Sequence, residues 1–135
     1  MIKRISHVGI ATQSIAVMTE FYKLLGLEVE AVESKKADKI RVALMRVGES
    51  AIELMEATDS ESPVARFLEK RGEGLHHISL EVDDLETVLN RLKERNIQLI
   101  DESPRPGADG RMIAFVHPRS TGGVLVELCQ TMETF

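Results

Sequence analysis

The sequence predicts an α+β protein made of two tandem βαβββ modules. Three observations carry that reading. An alternating segment, S-H-V-G-I-A-T at residues 6–12, recurs as H-H-I-S-L-E-V at residues 76–82. Each copy is followed by a helical pattern and then by three short apolar segments. Between the copies lies one short helix-like stretch opened by Ser62-Pro63. Two copies of about 60 residues are too few for a solenoid, and three consecutive strands after one helix suit antiparallel meanders.

Taken in order, residues 6–12 alternate as a half-buried strand does, and Ser14 is placed to cap a helix. Its expected apolar stripe is Val17, Met18, Phe21, Leu24 and Leu25, and Gly26 suits the residue just past its end. Strands are expected at Leu27–Val32, Ile40–Val47 and Ala51–Glu56. The linking helix runs from Ser62, with Pro63 in its first position, to about Arg71, and Gly72 and Gly74 punctuate. In the second copy Asp83 and Glu86 have the spacing of a capping box. Leu85, Val88, Leu89 and Leu92 form the stripe and Asn96 the stop. Strands are expected at Gln98–Asp101, Met112–Val116 and Val124–Gln130. One domain, 1–135, thus contains module 1 at about 4–58, a linker at about 62–72 and module 2 at about 74–131. The few extra residues of the second module fall in the loop Ser103–Gly110.

Composition narrows the partners. Acids outnumber bases 22 to 17, a net charge of −5, which argues against nucleic acid. The single cysteine, Cys129, excludes an internal disulfide framework and fits a reducing compartment. No apolar run approaches the roughly 18 residues of a membrane span, and M-I-K-R-I-S-H lacks the apolar core of a secretory leader, so a cytoplasmic location is expected.

Strand parity picks out four polar residues. Val8 and Ile10, Ile52 and Leu54, Ile78 and Leu80, and Val126 and Leu128 supply apolar faces on which helices can sit. Opposite those faces lie His7, Glu53, His77 and Glu127. His7 corresponds to His77, and Glu53 to Glu127, each Glu lying in an apolar-Glu-Leu step of the module's last strand. Any one of them alone reads more readily as a strand-surface glutamate or a satisfied histidine than as a ligand. Recurrence of the pair in both copies points instead to a shared site. Two imidazoles and two carboxylates suit a divalent first-row metal and leave positions open for substrate oxygens.

On these residues the chain resembles the vicinal oxygen chelate superfamily, and within it the methylmalonyl-CoA epimerase family. The stretches that carry the resemblance are H-V-G-I-A (7–11), G-L-H-H-I-S-L-E-V (74–82), G-A-D-G-R (107–111) and, most discriminating, F-V-H-P-R-S-T-G-G-V-L-V-E-L (115–128). The resemblance implies a curved, U-shaped mixed sheet around a metal, with His7, Glu53, His77 and Glu127 as ligands. Cobalt is the expected ion, with manganese, nickel or zinc compatible. It implies interconversion of the (2R) and (2S) epimers of methylmalonyl-CoA by proton abstraction at C2, through a metal-stabilised enolate. It also implies a homodimer. Glu127 is the first base. The acid that such epimerases carry just before the third strand falls on Ala37 here, so the second base is either Asp38, one position away, or Glu53. Epimerases carry Gln or Glu at the position of Glu53. The alternatives are lactoylglutathione lyase, for which a glutamate at position 53 is also the expected ligand, and a metal-free binding module on the same fold.

The remaining polar features divide into supporting roles. CoA phosphates call for basic groups, for which Lys35, Lys36, Lys39, Arg105 and Arg119 are available. Gly122-Gly123 suits a turn or a close backbone approach to ligand. Cys129 reads as packing, His117 as structural, and His76 is on the strand face opposite His77.

Overall fold

The computed structural model describes residues 1–107 and 110–132. Its elements run β1 (Ile2–Ala11), α1 (Ile15–Leu24), β2 (Val29–Lys35), β3 (Ile40–Val47), β4 (Ser50–Ala57), α2 (Pro63–Arg71), β5 (Gly74–Val82), α3 (Leu85–Glu94), β6 (Arg105–Pro106), β7 (Met112–Val116) and β8 (Val126–Gln130). The predicted order of strand, helix and three strands therefore occurs twice. The chain divides into two compact units, His7–His76 and Met1–Ser6 with the chain from His77 onward. Strand β1 gives its first half to one unit and its second half to the other.

In the unit His7–His76 the strands are ordered β2-β3-β4-β1. Strands β1 and β4 are parallel, with Gly9 opposite Glu53, and the other pairs are antiparallel. Helix α1 covers one sheet face, where Ile15 packs with Ala43, Met45 and Leu54, joined by Ile10, Met18 and Tyr22. Helix α2 covers part of the opposite face, burying Val64 and Leu68 against Ala11, Ile40, Val42 and Met55. Ala11 shares the parity of His7, and Met55 that of Glu53. The linking helix therefore lies on the face that carries these two polar residues.

In the other unit β5 pairs in parallel with β8, which continues antiparallel to β7 and then β6. Helix α3 buries Leu85 and Leu89 against Val82, Ala114, Val116 and Leu128. That leaves His77, Ser79, Phe115, Glu127 and Cys129 on the opposite face, since Ser79 and Phe115 flank Glu127 in the ladder.

The two repeat helices begin and end alike. Ser14 accepts a hydrogen bond from the Val17 amide and Asp84 from the Thr87 amide, both at 3.2 Å. One residue further on, the Ile15 amide donates to Glu56 Oε2 at 2.7 Å and the Leu85 amide to Gln130 Oε1 at 2.8 Å. Glu56 and Gln130 are the same step of β4 and β8, so a strand end caps each helix start. Gly26 (φ 89°) and Asn96 (φ 59°) follow the two helices in left-handed conformation.

Four expectations are corrected. In α1 only Met18 of the predicted stripe packs inward; Val17, Phe21, Leu24 and Leu25 are exposed, and Ile15, Thr19 and Tyr22 take the inner face. The cap of α3 is Asp84 rather than Asp83, because Asp83 binds the N-terminal ammonium. Gln98–Asp101 forms no strand, only a bridge between Leu99 and Val116. There the Asp101 carboxylate takes the Phe115 amide at 2.8 Å, in place of a ladder carbonyl. Finally, β8 starts at Val126, because Gly122 and Gly123 both have positive φ and hold the chain in a turn, leaving Val124 exposed. Of the G-A-D-G-R stretch, Ala108 and Asp109 lie outside the described residues.

Candidate functional site

Each unit contains one buried histidine beside one buried glutamate. In the unit His7–His76, His7 Nε2 lies 3.6 Å from Glu53 Oε2. In the other, His77 Nε2 lies 3.5 Å from Glu127 Oε2. All four residues are under a tenth exposed. The local cause is strand pairing. Glu53 sits between Leu44 of β3 and Gly9 of β1, and Gly9 brings no side chain to crowd it. Glu127 sits between Ser79 and Phe115.

The donor set fits a divalent ion. In each unit the buried imidazole and the buried carboxylate beside it are donors of the type such an ion takes. Both nitrogen–oxygen separations are longer than the usual N–H···O distance of about 2.9 Å.

Other residues frame the pairs. The Phe115 ring stands edge-on to His77 at 6.1 Å, and the Arg105 guanidinium lies 5.5 Å over that ring. Arg105 is also anchored by Asp101 at 3.0 Å. Ser79 Oγ and Cys129 Sγ are in contact at 3.5 Å, with both residues fully buried, in keeping with a packing role for Cys129. Arg111 donates to Ser6 Oγ at 2.9 Å. Glu81, also on β5, accepts from Thr131 Oγ1 at 2.7 Å and from Arg4 Nε at 3.1 Å. Chiefly through the Thr131 bond, and despite burial, its carboxyl is held below the usual carboxylate value.

The other predicted residues lie in turns, against a helix or at the surface. Asp38 is exposed in the turn 36–39 between β2 and β3, where its backbone carbonyl accepts from Ser62 Oγ at 3.4 Å. His76 packs against Phe67 of α2, with ring centroids 4.9 Å apart. Burial pushes its imidazole below the ordinary value, while Glu53 pulls the other way and Arg71 adds to the lowering. His117 Nδ1 accepts from the Arg119 amide at 3.0 Å and opens the 3-10 turn Pro118–Ser120, a structural role. Lys39 is paired with Glu61 at 2.8 Å; Lys36 and Arg119 are exposed. Ser79 and Phe115 were not singled out from sequence. The parity of β5 would have indicated Ser79, whereas Phe115 requires the β7–β8 register.

These features define a two-repeat α+β protein with one buried His/Glu pair per repeat. The chain belongs to the glyoxalase/bleomycin resistance protein/dioxygenase superfamily, whose family model matches residues 6–115. It is 45% identical to YqjC of Bacillus subtilis over 94% of this chain and 91% of that one. It is 36% identical to the mitochondrial methylmalonyl-CoA epimerase of Bos taurus over 94% of this chain and 74% of that one. A Streptomyces coelicolor methylmalonyl-CoA epimerase variant, in complex with 2-nitronate-propionyl-CoA, superposes with a TM-score of 0.91 at 31% identity, covering 99% and 98% of the two chains. Among the described residues no helix is long and apolar enough to cross a membrane.

Proposed function

We propose that this protein is a methylmalonyl-CoA epimerase, an isomerase acting as a homodimer in the cytoplasm. The observation that carries the reading is one buried carboxylate beside one buried imidazole in each repeat of a chain that matches such epimerases nearly end to end. His7, Glu53, His77 and Glu127 are the proposed ligands of one divalent ion, with cobalt the preferred metal and manganese, nickel or zinc able to replace it. When bound, the ion supplies Lewis-acid stabilisation of the negative charge that develops on the thioester oxygen.

The carbon acid lies between a thioester and a carboxylate, so removing its proton gives a planar enolate. The nitronate bound by the Streptomyces enzyme is likewise planar and anionic. Inversion then requires a proton acceptor on one face and a donor on the other. Each repeat supplies one buried carboxylate beside an imidazole, which is the pair this reaction needs. Glu127 takes the proton from C2 as first base. Glu53, held beside His7, serves as second base in preference to Asp38, which is exposed in its turn. Phe115 shields His77 from water on one side, and the basic groups near the turns are available to CoA phosphates.

The test is deuterium incorporation at C2 of methylmalonyl-CoA in heavy water, with added divalent metal and with chelator. Metal-dependent exchange with loss of stereochemical purity is expected, and Glu127→Gln should slow it by about 10²–10⁴-fold. Absence of exchange with every divalent metal, together with consumption of the methylglyoxal–glutathione adduct, would replace this reading by lactoylglutathione lyase.

A further inference from the structure

Beside α3 lies a cavity of about 340 Å³, walled by Val82, Val88, Leu92, Val116, Val126 and Leu128. Val126 and Leu128 flank Glu127 in β8, so the cavity is on the sheet face opposite His77 and Glu127. It reaches into the core, where Val82 is 1% and Leu128 5% exposed. The first repeat serves as a control. A constant offset of 70 residues maps Ser14 on Asp84 and Ile15 on Leu85, and the capping contacts agree with that mapping. The same offset sets Met18 in the place of Val88 and Tyr22 in the place of Leu92. On the strands, Val116 pairs with Val126 as Met45 pairs with Ile52, and each second partner directly precedes the repeat's glutamate. At all four places the cavity wall carries the smaller side chain. In the first repeat Met18, Tyr22, Met45 and Ile52 pack together with Ile15 and Leu54. The cavity therefore follows from side-chain choice, since the fold is common to both copies.

We propose that this cavity binds a small carboxylic acid with an aliphatic body, whose carboxylate pairs with Arg91. Size sets the body. An apolar cavity of roughly 150 Å³ holds a benzene ring, so 340 Å³ takes a chain of about eight carbons with its head group. Charge sets the head group. Arg91 is the charged side chain of the lining. Among the described residues its guanidinium donates to the Met1 thioether at 3.1 Å and to no carboxylate. A thioether sulfur is a weak acceptor, so an entering carboxylate replaces a weak bond by a charge-assisted one. The N-terminal ammonium of Met1, which also lines the cavity, is already paired with Asp83. A carboxylate is therefore attracted at this rim and an ammonium repelled.

The site is independent of the proposed reaction, and its test reads binding, not turnover. Octanoate is titrated into the native chain in a calorimeter, with chelator present so that no metal takes the carboxylate. Saturable binding is expected, with octylammonium weaker by about tenfold or more. Arg91→Gln should weaken octanoate by about tenfold, as loss of one charge-assisted hydrogen bond does. Val88→Met combined with Val116→Met, which installs the side chains of the first repeat, should abolish binding with unchanged far-ultraviolet circular dichroism. Arg91 is exposed on α3, so its variant decides the matter if the filled variant fails to fold. Saturating CoA should not displace octanoate. The proposal is overturned if octanoate does not bind the native chain, or if Arg91→Gln or the folded double variant binds it undiminished. Displacement by CoA overturns it too, because the octanoate would then sit at the proposed reaction site. A negative result leaves the epimerase reading intact, since neither exchange nor metal is measured.

Discussion

Glu53 and Glu127 occupy like places in the two repeats, yet their proposed duties can be separated by one substitution. Glu53→Gln keeps an oxygen donor for the metal and removes the proton carrier. With one base left, exchange of the proton on a single face should survive while inversion is lost. The expected result for Glu53→Gln is therefore deuterium uptake from one epimer without racemisation, at unchanged metal content. Asp38→Asn should leave inversion within about twofold, as expected of a side chain exposed to solvent in a turn. The reverse pattern would transfer the second base to Asp38. At this scale the sequence was informative where period-two parity alone decides the outcome. His7, Glu53, His77 and Glu127 fall on predictable strand faces, and their repetition marked them as a set. Phe115 was not legible, because its place beside Glu127 depends on a pairing register that no local pattern encodes.

Among the elements, the repeat helices show how local and non-local signals divide. Ser14, Gly26 and Asn96 announce helix ends through their own backbone and side-chain chemistry, so they were readable. Glu56 and Gln130 cap the same helices from strands 41 and 45 residues away, and only the fold reveals them. Gln130→Ala leaves the Leu85 amide without that acceptor and should lower unfolding stability by about 1 kcal/mol, read as a shift in urea midpoint at constant slope. No change in midpoint would mean that water replaces the amide oxygen at no cost. The misjudged stripe of α1 has a related cause. Apolar spacing at 17, 21, 24 and 25 satisfies a helical period equally well whether it faces the sheet or points outward. Likewise, Gln98–Asp101 failed as a strand because Asp101 answers the neighbouring amide with its side chain.

At the scale of the whole molecule, acid stability is tied to a few carboxylates that join distant parts of the chain. Glu81 binds Arg4 near the N-terminus and Thr131 near the end of the described chain, and Asp83 binds the N-terminal ammonium. Glu73 links across to Thr12 at 2.6 Å and to the Gln13 amide at 2.8 Å. The carboxyls of all three are held below their ordinary values, mainly by these hydrogen bonds. A lowered folded-state pKa means that the unfolded chain binds protons first as pH falls. The stabilisation is therefore complete above the unfolded value, 4.5 for Glu81, and is lost as pH drops through the folded one. Asp83 and Glu73 act in the same direction, but being exposed they should fade with added salt, whereas buried Glu81 should not. Urea midpoints measured from neutral pH down to about pH 3 should thus fall less steeply for Glu81→Gln than for the native chain. The variant itself should be less stable at neutral pH, where the native carboxylate is charged and paired. Parallel acid limbs for the two proteins would show that Glu81 titrates alike folded and unfolded, and that its bonds to Arg4 and Thr131 do not favour the charged form.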